Sequence, residues 1–516
     1  MNKKLLLTLT TSVICLLNAC SQSDDVLTEQ KSLKDNKPNI VVIYIDDLGY
    51  GDVSSYGATA VSTPNIDRLA YNGIKFTDAH SSAATCTPSR YSLLTGEHGF
   101  RIKADVLKGD APLLISTNKP TLPKMLKKAG YATGVVGKWH LGLGDGNIDW
   151  NSDVTPGPSE VGFDYSFLLP ATGDRVPTIY LENNRIVNLD VNDPISVSYK
   201  ENIGKRPTGV EHPELLRYAA DRQHSDTIIN GVSRIGTMSG GEQALWKDED
   251  FADIFTNKAI AFIRKNKANP FFLFHSYHDI HVPRLPHPRF KGATKMGPRG
   301  DAIVQMDWMT GQIISELERL GLADNTIIIF TSDNGPVLND GYEDQSVALI
   351  GSHKPSGPFR GGKYSAFEAG TRVPMIVYWP NIIKPSQSNA LISQMDIYKS
   401  FAKLIDVDVG IDEAIDSQQL LSALLGYSQR GRKHLLEESV GPHALRSGQW
   451  KYISPNKSNN NFPWLKPKGI EGGFAKYPQL YDLSKDINEQ NNIATEHPEL
   501  VEKFEMVITN IVKVGY

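Results

Sequence analysis

The chain has 516 residues, with 54 Lys plus Arg against 58 Asp plus Glu, a formal net charge of −4, and 40% hydrophobic residues. This length allows two or three domains, and the composition of an ordinary globular protein excludes disordered, coiled-coil and multi-span membrane classes. Because the chain lacks the basic excess that binding to a phosphate backbone requires, no nucleic-acid partner is expected.

The N-terminal segment has the pattern of an export signal. Lys3 and Lys4 precede an apolar stretch, Leu5 to Leu17, that is too short to span a bilayer. Leu17-Asn18-Ala19-Cys20 resembles the bacterial lipoprotein box, which implies that Cys20 becomes the acylated first residue of the mature protein; a plain cleavage site is the alternative. We therefore expect a lipoprotein signal peptide at residues 1–19 and a polar tether at residues 20–37. The protein would be exported and held at the outer membrane through its lipid anchor, or be soluble in the periplasm if the box is not used.

Four apolar runs of the kind found in buried parallel strands lead into polar residues. They are Asn39–Ile45 before Asp46 and Asp47, Tyr131–Val136 before Gly137-Lys138-Trp139-His140, Phe271–Phe274 before His275, His278 and His281, and Thr326–Thr331 before Asp333 and Asn334. Ligands of open α/β sheets bind beyond the carboxyl ends of the strands, so these polar residues are predicted to meet at one rim.

Helical patterns lie between these runs. Thr121–Ala129 has a threonine at the N-cap position, and Asp301–Leu320 has apolar residues every three or four positions. Strands that alternate with helices predict an α/β sandwich, with a large and mostly parallel sheet between helices.

The pattern changes after about residue 386. Trp450–Ile453 and Gln479–Leu483 are typical of short antiparallel strands, and a closing helix is predicted from Pro498 to Val512. We therefore predict a main domain at residues 38–385 and a smaller C-terminal α+β subdomain at residues 386–516, with a short antiparallel sheet.

Cys86 has no partner for a disulfide within the mature chain, because Cys15 lies in the signal and Cys20 at the anchor. Cys86-Thr87-Pro88-Ser89-Arg90, followed by Leu94-Thr95-Gly96, matches the signature C-x-P-S-R-x-x-x-L-T-G. On this motif the chain resembles the formylglycine-dependent sulfatases, the arylsulfatase family of the alkaline phosphatase superfamily. The resemblance implies that a formylglycine-generating maturation enzyme oxidises Cys86 to formylglycine (3-oxoalanine). The hydrate of that aldehyde supplies an oxygen nucleophile and then expels sulfate from its second hydroxyl.

The resemblance extends from Asn39 to Asn492 and implies an alkaline-phosphatase-like sandwich. Residues 38–385 would then be the sulfatase catalytic domain, and the C-terminal sheet would complete the substrate cleft.

The acidic residues at the strand ends indicate a metal site. A hard divalent cation with oxygen ligands can polarise a sulfate ester oxygen and ionise a hydroxyl at neutral pH. Asp46, Asp47, Asp333 and Asn334 supply such oxygens, whereas they offer neither sulfur nor imidazole to zinc. The resemblance maps all four onto family ligands, with the formylglycine at Cys86 as a further ligand, and implies one Ca²⁺ per chain.

The basic residues fall in further family motifs. Gly137-Lys138-Trp139-His140-Leu141-Gly142, His281-Val282-Pro283 and Lys363 with Glu368, Gly370 and Arg372-Val373-Pro374 match G-K-W-H-L-G, H-x-P and G-K-x-x-x-x-E-x-G-x-R-V-P. The developing negative charge of sulfate transfer needs fixed cations and a proton donor. The resemblance assigns Arg90 and Lys138 to holding the formylglycine, and His140 to its activation. It assigns Lys363 to the sulfate, and His281 to sulfate contact and leaving-group protonation.

The predicted substrate is a sulfated oligo- or polysaccharide, because a lipid-anchored exported enzyme meets extracellular polysaccharides and the segment near His278 resembles carbohydrate sulfatases of polysaccharide-degrading bacteria. Ulvan, carrageenan, porphyran and chondroitin are all compatible. Arg175, His278, Arg284 and Lys354 are candidates for sugar contact, since arginine grips anions bidentately and lysine acts as a point charge.

Two other functions stay open at this stage. One is a phosphonate monoester or phosphodiester hydrolase of the same superfamily, against which the complete set of Lys138, His140, His281 and Lys363 argues. The other is a surface lipoprotein that binds glycans without catalysis, if Cys86 is not matured.

Overall fold

The structure, a computed structural model, describes residues 37–458 and 462–516. The predicted signal peptide, Cys20 and the predicted tether up to residue 36 lie outside the described residues. Within the described ranges, no helix has both the length and the apolar character that a membrane span needs.

The strands and helices are distributed along the whole described chain. The strands are β1 (Asn39–Ile45), β2 (Ile74–Phe76), β3 (Ala79–His80), β4 (Ala132–Lys138), β5 (Tyr165–Leu169), β6 (Leu181–Glu182), β7 (Arg185–Ile186), β8 (Ser196–Ser198), β9 (Ile228–Ile229), β10 (Val232–Ser233), β11 (Thr237–Ser239), β12 (Phe271–Ser276), β13 (Thr326–Ser332), β14 (Met375–Tyr378), β15 (Ser386–Ser388), β16 (Ile392–Ser393), β17 (Leu435–Glu438), β18 (His443–Ser447), β19 (Trp450–Ile453) and β20 (Gln479–Asp482). The α-helices are α1 (Pro64–Asn72), α2 (Cys86–Thr95), α3 (Leu122–Lys128), α4 (Pro158–Val161), α5 (Phe251–Asn266), α6 (Gly297–Arg319), α7 (Ser346–Leu349), α8 (Asp396–Leu404), α9 (Leu421–Leu424) and α10 (Pro498–Val514).

A ten-stranded mixed sheet forms the centre, in the order β15-β2-β14-β13-β1-β12-β4-β5-β6-β7. The four strands predicted from apolar runs, β13, β1, β12 and β4, are adjacent and parallel. Their carboxyl ends therefore lie along one edge, as predicted, and the residues that follow them converge there.

Helices cover both faces of this sheet. Along β1, Ile40 and Val42 point into one hydrophobic core, which includes α2, α3 and α8, while Val41 and Ile43 point into another, which includes α1, α5 and α6. Because successive side chains of a strand point to opposite faces, a strand buried on both sides is a continuous apolar run. The predicted sandwich is confirmed.

The longest helix, α6, buries the predicted apolar stripe against the sheet. Its buried residues include Ile303, Met306, Met309, Ile313 and Leu317. Burial of each of these side chains stabilises the folded state by about 1.5–3 kcal/mol relative to leaving it exposed. The helix begins four residues before the predicted start, at Gly297, with a proline at the second position.

A separate four-stranded antiparallel sheet, β17-β18-β19-β20, lies near the C-terminus, as predicted. One face packs on α10 through Phe504 and Ile508, and the other contacts Ala366 and Phe367 of the main domain. Residues 386–425 also contribute β15 to the large sheet and α8 and α9 to its first core. The predicted boundary at residue 386 stays a prediction.

Candidate active site

The ends of β1 and β13 bring the predicted acidic residues together. These strands pair in parallel, so the residues after them, Asp46 with Asp47 and Asp333 with Asn334, leave the sheet side by side. The backbone N–H of Asp47 donates to Asp333 Oδ1 at 3.3 Å, and Asn334 Nδ2 donates to Asp47 Oδ1 at 2.8 Å. All four side chains are fully buried.

Two lysines from distant parts of the chain neutralise the first acidic pair. Lys138, the last residue of β4, donates to Asp46 Oδ2, and Lys363 Nζ donates to Asp47 Oδ2 at 2.9 Å. A buried carboxylate without a partner is strongly destabilising, so these two ion pairs stabilise the ionised forms of Asp46 and Asp47.

Arg90, on α2, neutralises the third carboxylate. Its Nε and Nη2 donate to Asp333 Oδ2 at 3.0 and 2.7 Å, and its Nη1 donates to Ser276 Oγ. The three carboxylates thus face three cations in a buried cluster.

The residues present fit a hard divalent cation. Asp46 Oδ1 and Asn334 Oδ1 are buried without a hydrogen-bond partner, which is unusual for buried polar atoms. Potential ligand atoms of Asp46, Asp47 and His281 lie within 4.8 Å of one another. Oxygen ligands of this kind suit Ca²⁺ or Mg²⁺. Asp46, Asp47, Asp333 and Asn334 would hold the ion, and it would polarise a sulfate oxygen.

Electrostatics also favour a cation here. Burial raises the pKa of Asp46, Asp47 and Asp333 above the usual value, while the neighbouring lysines and Arg90 act in the opposite direction. A bound divalent cation would further favour the ionised carboxylates.

Cys86 is the first residue of α2, and only 1% of it is exposed. Its Sγ lies 3.4 Å from His140 Nδ1, while His140 Nε2 lies 2.9 Å from the carbonyl oxygen of Leu107. Since a carbonyl oxygen only accepts, Nε2 carries the proton and Nδ1 presents its lone pair to position 86. Burial, followed by the positive charge of Lys138, lowers the pKa of His140 well below its usual value. His140 is therefore a neutral base beside Cys86.

His281 lies beside the acidic cluster, near Asp47. Its Nδ1 lies 2.6 Å from the carbonyl oxygen of Val282, to which it donates, so Nε2 is left to face Asp47 Oδ2 at 3.8 Å. Burial, followed by Lys363 and Lys138, lowers the pKa of His281 well below its usual value.

A cavity of about 430 Å³ opens above Cys86. It is lined by Cys86, Asp105, Val106, Asp174, Arg175, Gln223, His224, His281, Asp340, Lys363, Tyr364, Val440, Trp464 and Lys468. The predicted residues Cys86, Arg175, His281 and Lys363 thus share one space, and the buried acidic cluster lies beside it.

Sequence reasoning missed Asp340, which holds Lys363. Its Oδ2 accepts from Lys363 Nζ at 2.9 Å and from the Tyr364 hydroxyl at 2.9 Å. Burial alone would lower the pKa of Lys363, but Asp340 and Asp47 raise it well above its usual value. Asp340 lies eight residues beyond the end of β13 and outside the matched motifs, so its sequence context gave no signal.

A second missed group surrounds Arg175. Arg175 Nη1 donates to Asp174 at 2.6 and 2.7 Å. His224 lies 3.3 Å from Asp174 and 2.7 Å from Asp221. Burial alone would lower the pKa of His224, but hydrogen bonds and charge from Asp174 and Asp221 outweigh it and raise this pKa, which favours the imidazolium beside the guanidinium of Arg175.

Arg284, predicted to contact sugar, is a structural residue instead. It is 2% exposed, its Nη1 donates to Asp344 Oδ2 at 2.7 Å, and its other contacts include the carbonyl oxygens of Ile280, Val337 and Leu338. Each of the three nitrogen atoms of this guanidinium donates to one of these loop groups and not to the cavity. This corrects the sequence-based assignment.

The other two sugar candidates also lie away from the cavity lining. His278 is 3% exposed, and its Nε2 accepts from the backbone N–H of Gly173 at 3.0 Å; burial lowers its pKa to about 3. It packs near His281, with ring centroids 5.7 Å apart, and so supports that residue. Lys354 is exposed and is not among the described residues that line the cavity.

Comparison with known proteins agrees with this geometry. The Sulfatase family matches residues 38–407. An N-acetylgalactosamine-6-O-sulfatase of Bacteroides thetaiotaomicron is 50% identical over 501 residues, 96% of this chain and 97% of that protein. Rat steryl-sulfatase is 30% identical over 89% of this chain and 85% of its own length. A solved sulfatase structure from work on glycosaminoglycan metabolism by B. thetaiotaomicron superposes with a TM-score of 0.91, at 50% identity, over 93% of this chain and 100% of that one.

These relationships confirm the predicted alkaline-phosphatase-like fold and the enzyme class. The family typically uses a formylglycine and a divalent metal, and the cluster of Cys86, Arg90 and the buried acidic residues has the composition that this chemistry requires. The chain belongs to the sulfatase family and is a sulfuric ester hydrolase.

Proposed function

We propose that the protein hydrolyses the 6-O-sulfate ester of N-acetylgalactosamine in sulfated oligo- or polysaccharide fragments of the chondroitin type, using a formylglycine formed at Cys86 and one Ca²⁺. The observation that carries the sugar assignment is the 50% identity, over 96% of the chain, to a Bacteroides enzyme of that name. Of the polysaccharides compatible with the sequence, chondroitin contains this sugar.

Two groups would supply the central chemistry. Formylglycine at position 86 would offer an oxygen nucleophile whose second hydroxyl allows release of sulfate, and a Ca²⁺ held by the acidic residues would polarise a sulfate oxygen. Arg90 and Lys138 position this centre through the carboxylates they contact.

His140 moves the proton at position 86. Its Nδ1 lone pair is directed at that side chain, and its Nε2–H is held by the Leu107 carbonyl oxygen, which fixes the tautomer. A neutral imidazole within hydrogen-bond reach is the arrangement that a general base needs.

His281 and Lys363 act on the sulfate and the leaving group. Lys363, held by Asp47 and Asp340, presents a fixed positive charge to the cavity. The negative charge of a bound sulfate ester opposes the effects that lower the pKa of His281, and so favours the Nε2–H form that protonates the departing sugar oxygen.

The rest of the cavity wall suits a sugar. Asp174, Arg175, Gln223 and His224 provide both donors and acceptors around the opening to Cys86. Few, well-placed polar groups of this kind fix the orientation of a ligand in a pocket.

We further propose that Cys20 anchors the enzyme in the outer membrane, where polysaccharide fragments arrive, and that a formylglycine-generating enzyme is its maturation partner. The lipoprotein-box pattern at Leu17 to Cys20 and the intact Cys86 motif support these two proposals.

A matched panel of substrates tests the sugar assignment. Release of sulfate is measured from N-acetylgalactosamine 6-sulfate, N-acetylgalactosamine 4-sulfate and N-acetylglucosamine 6-sulfate, with aryl sulfate and aryl phosphate as further probes and Cys86→Ala as the blank. We expect kcat/KM for the first to exceed that for the other two sugars by at least about 100-fold, because a site that hydrogen-bonds sugar hydroxyls rejects the wrong isomer. A higher kcat/KM for either other sugar, or for the phosphate ester, would overturn the proposal.

A further inference from the structure

The cavity above Cys86 continues into a second cleft of about 500 Å³. Asp105, Val440 and Trp464 line both spaces. Phe100 and Phe462 line the second cleft alone, which gives it an aromatic wall. A ligand that fills the first cavity can therefore extend past Trp464 without leaving the protein surface.

Trp464 is both exposed and held in position. It is 38% exposed, and its ring packs edge-on against Tyr364, with centroids 4.9 Å apart and planes at 90°. Tyr364 in turn donates to Asp340, which accepts from Lys363. The indole is thus coupled through two side chains to the lysine assigned to the sulfate.

The short helical turn that carries Trp464 is also held by ion pairs of Lys468. Trp464 lies in a short 3-10 helix, Pro463–Lys468, of the C-terminal part of the chain. Lys468 Nζ, at the end of this helix, lies 3.4 Å from Asp221 and 3.4 Å from Asp340. A tryptophan presented on a fixed turn costs little conformational entropy when it binds a ligand, which is the property of a recognition side chain.

We propose that Trp464 forms a subsite for the sugar linked to the sulfated residue, with its ring against the apolar C–H face of that sugar. The substrate of the enzyme is then an oligosaccharide in preference to a free sulfated monosaccharide. This inference rests on the proposed carbohydrate function. The occupant is argued from the continuity of the second cleft with the catalytic cavity and from the aromatic residues that line it.

The test compares kcat/KM for free N-acetylgalactosamine 6-sulfate with that for disaccharides in which the same residue carries a second sugar at position 1 or position 3. We expect wild type to prefer one disaccharide, and Trp464→Ala to lower the disaccharide-to-monosaccharide ratio about tenfold or more. Trp464→Phe, which keeps an aromatic face, should retain most of the ratio. Tyr477→Ala is the matched control, because Tyr477 is 63% exposed and is not among the described residues lining either cleft.

The outcomes separate the two proposals. The subsite is overturned if wild type shows no disaccharide preference, if Trp464→Ala reduces turnover of both substrates by one factor, or if it changes neither. Thermal melting of each variant identifies a loss of fold. If Trp464→Ala does not fold, the disaccharide-to-monosaccharide ratio of Trp464→Phe is compared with that of wild type instead. If wild type hydrolyses aryl sulfate and none of the sulfated sugars, the proposed carbohydrate function fails instead.

Discussion

Replacing Arg284 by methionine is expected to destabilise the protein and to reduce turnover of all substrates alike. Arg284 connects two loops of the active site. Its Nε donates to the carbonyl oxygen of Ile280, next to His281, and its Nη1 contacts Asp344, on the loop that also carries Asp340. Without this connection the loops that carry His281 and Asp340 lose one of the contacts that hold them together.

The size of the effect follows from burial. The Arg284 and Asp344 side chains are 0% and 1% exposed, so Arg284→Met leaves an uncompensated buried carboxylate, at a cost of about 3–5 kcal/mol. With an unfolding entropy of about 2.1 cal/mol/K per residue, the roughly 480 residues that the structure describes give a Tm change of about 1 °C per kcal/mol. The expected decrease in Tm is therefore about 3–5 °C.

Thermal melting and turnover of both aryl sulfate and sulfated glycan measure this prediction. Arg185→Met is the matched control, because the Arg185 side chain is 77% exposed and its ion pair with Asp153 should contribute less than about 1 kcal/mol. Arg284→Met combined with Asp344→Asn removes the orphaned charge and should recover part of the lost stability.

An unchanged Tm together with a loss of activity confined to the glycan would refute this reasoning. It would return Arg284 to the role of a sugar contact, which the hydrogen bonds of its guanidinium oppose.

Four further predictions address the modification, the metal, pH and the anchor. The peptide containing Cys86 should lose about 18 Da on conversion of its thiol to an aldehyde, and Cys86→Ala should abolish turnover without changing the melting curve; unmodified thiol in fully active enzyme would contradict the mechanism. Asp333→Ala should remove bound Ca²⁺ and activity together, as measured by elemental analysis and sulfate release, whereas stoichiometric zinc would show that the calcium assignment is wrong. Burial lowers the pKa of His275 to about 3, so the unfolded state binds one more proton below pH 6.5, and the free energy of unfolding should fall by up to about 1.4 kcal/mol per pH unit between about pH 6 and pH 4. Urea denaturation of His275→Leu should show a shallower pH dependence than wild type, and equal slopes would exclude His275 as the cause. Cys20→Ser should move the protein from the membrane fraction to the soluble fraction, and unchanged membrane association would rule out the lipoprotein box.

The central strands were predictable because a strand buried on both faces has a recognisable local sequence pattern. Asn39–Ile45 and Thr326–Ser332 are buried on both faces, and only continuous apolar, β-branched runs satisfy that environment. The rim of the sheet then followed from the direction of the chain, since parallel strands place their following residues at one edge. The order of the strands in the sheet did not follow, because it depends on pairing between segments that are far apart in the chain.

The catalytic motif was equally accessible from sequence. Cys86 and Arg90 lie within one helix, α2, so their spacing alone places them about one turn apart. The candidate metal ligands after β1 and β13 could be recognised for the same reason, because each pair of residues is local to a strand end.

The substrate side of the site depends on contacts that no local pattern encodes. Arg284 looked like an available surface cation in the sequence, but the loop from Val337 to Asp344 folds over it and uses its donors. Asp340 and Trp464 reach the cavity from a loop and from the C-terminal part of the chain. Hydrogen bonds and packing between such distant, aperiodic segments form only when the whole chain is folded, so their partners are properties of the tertiary structure.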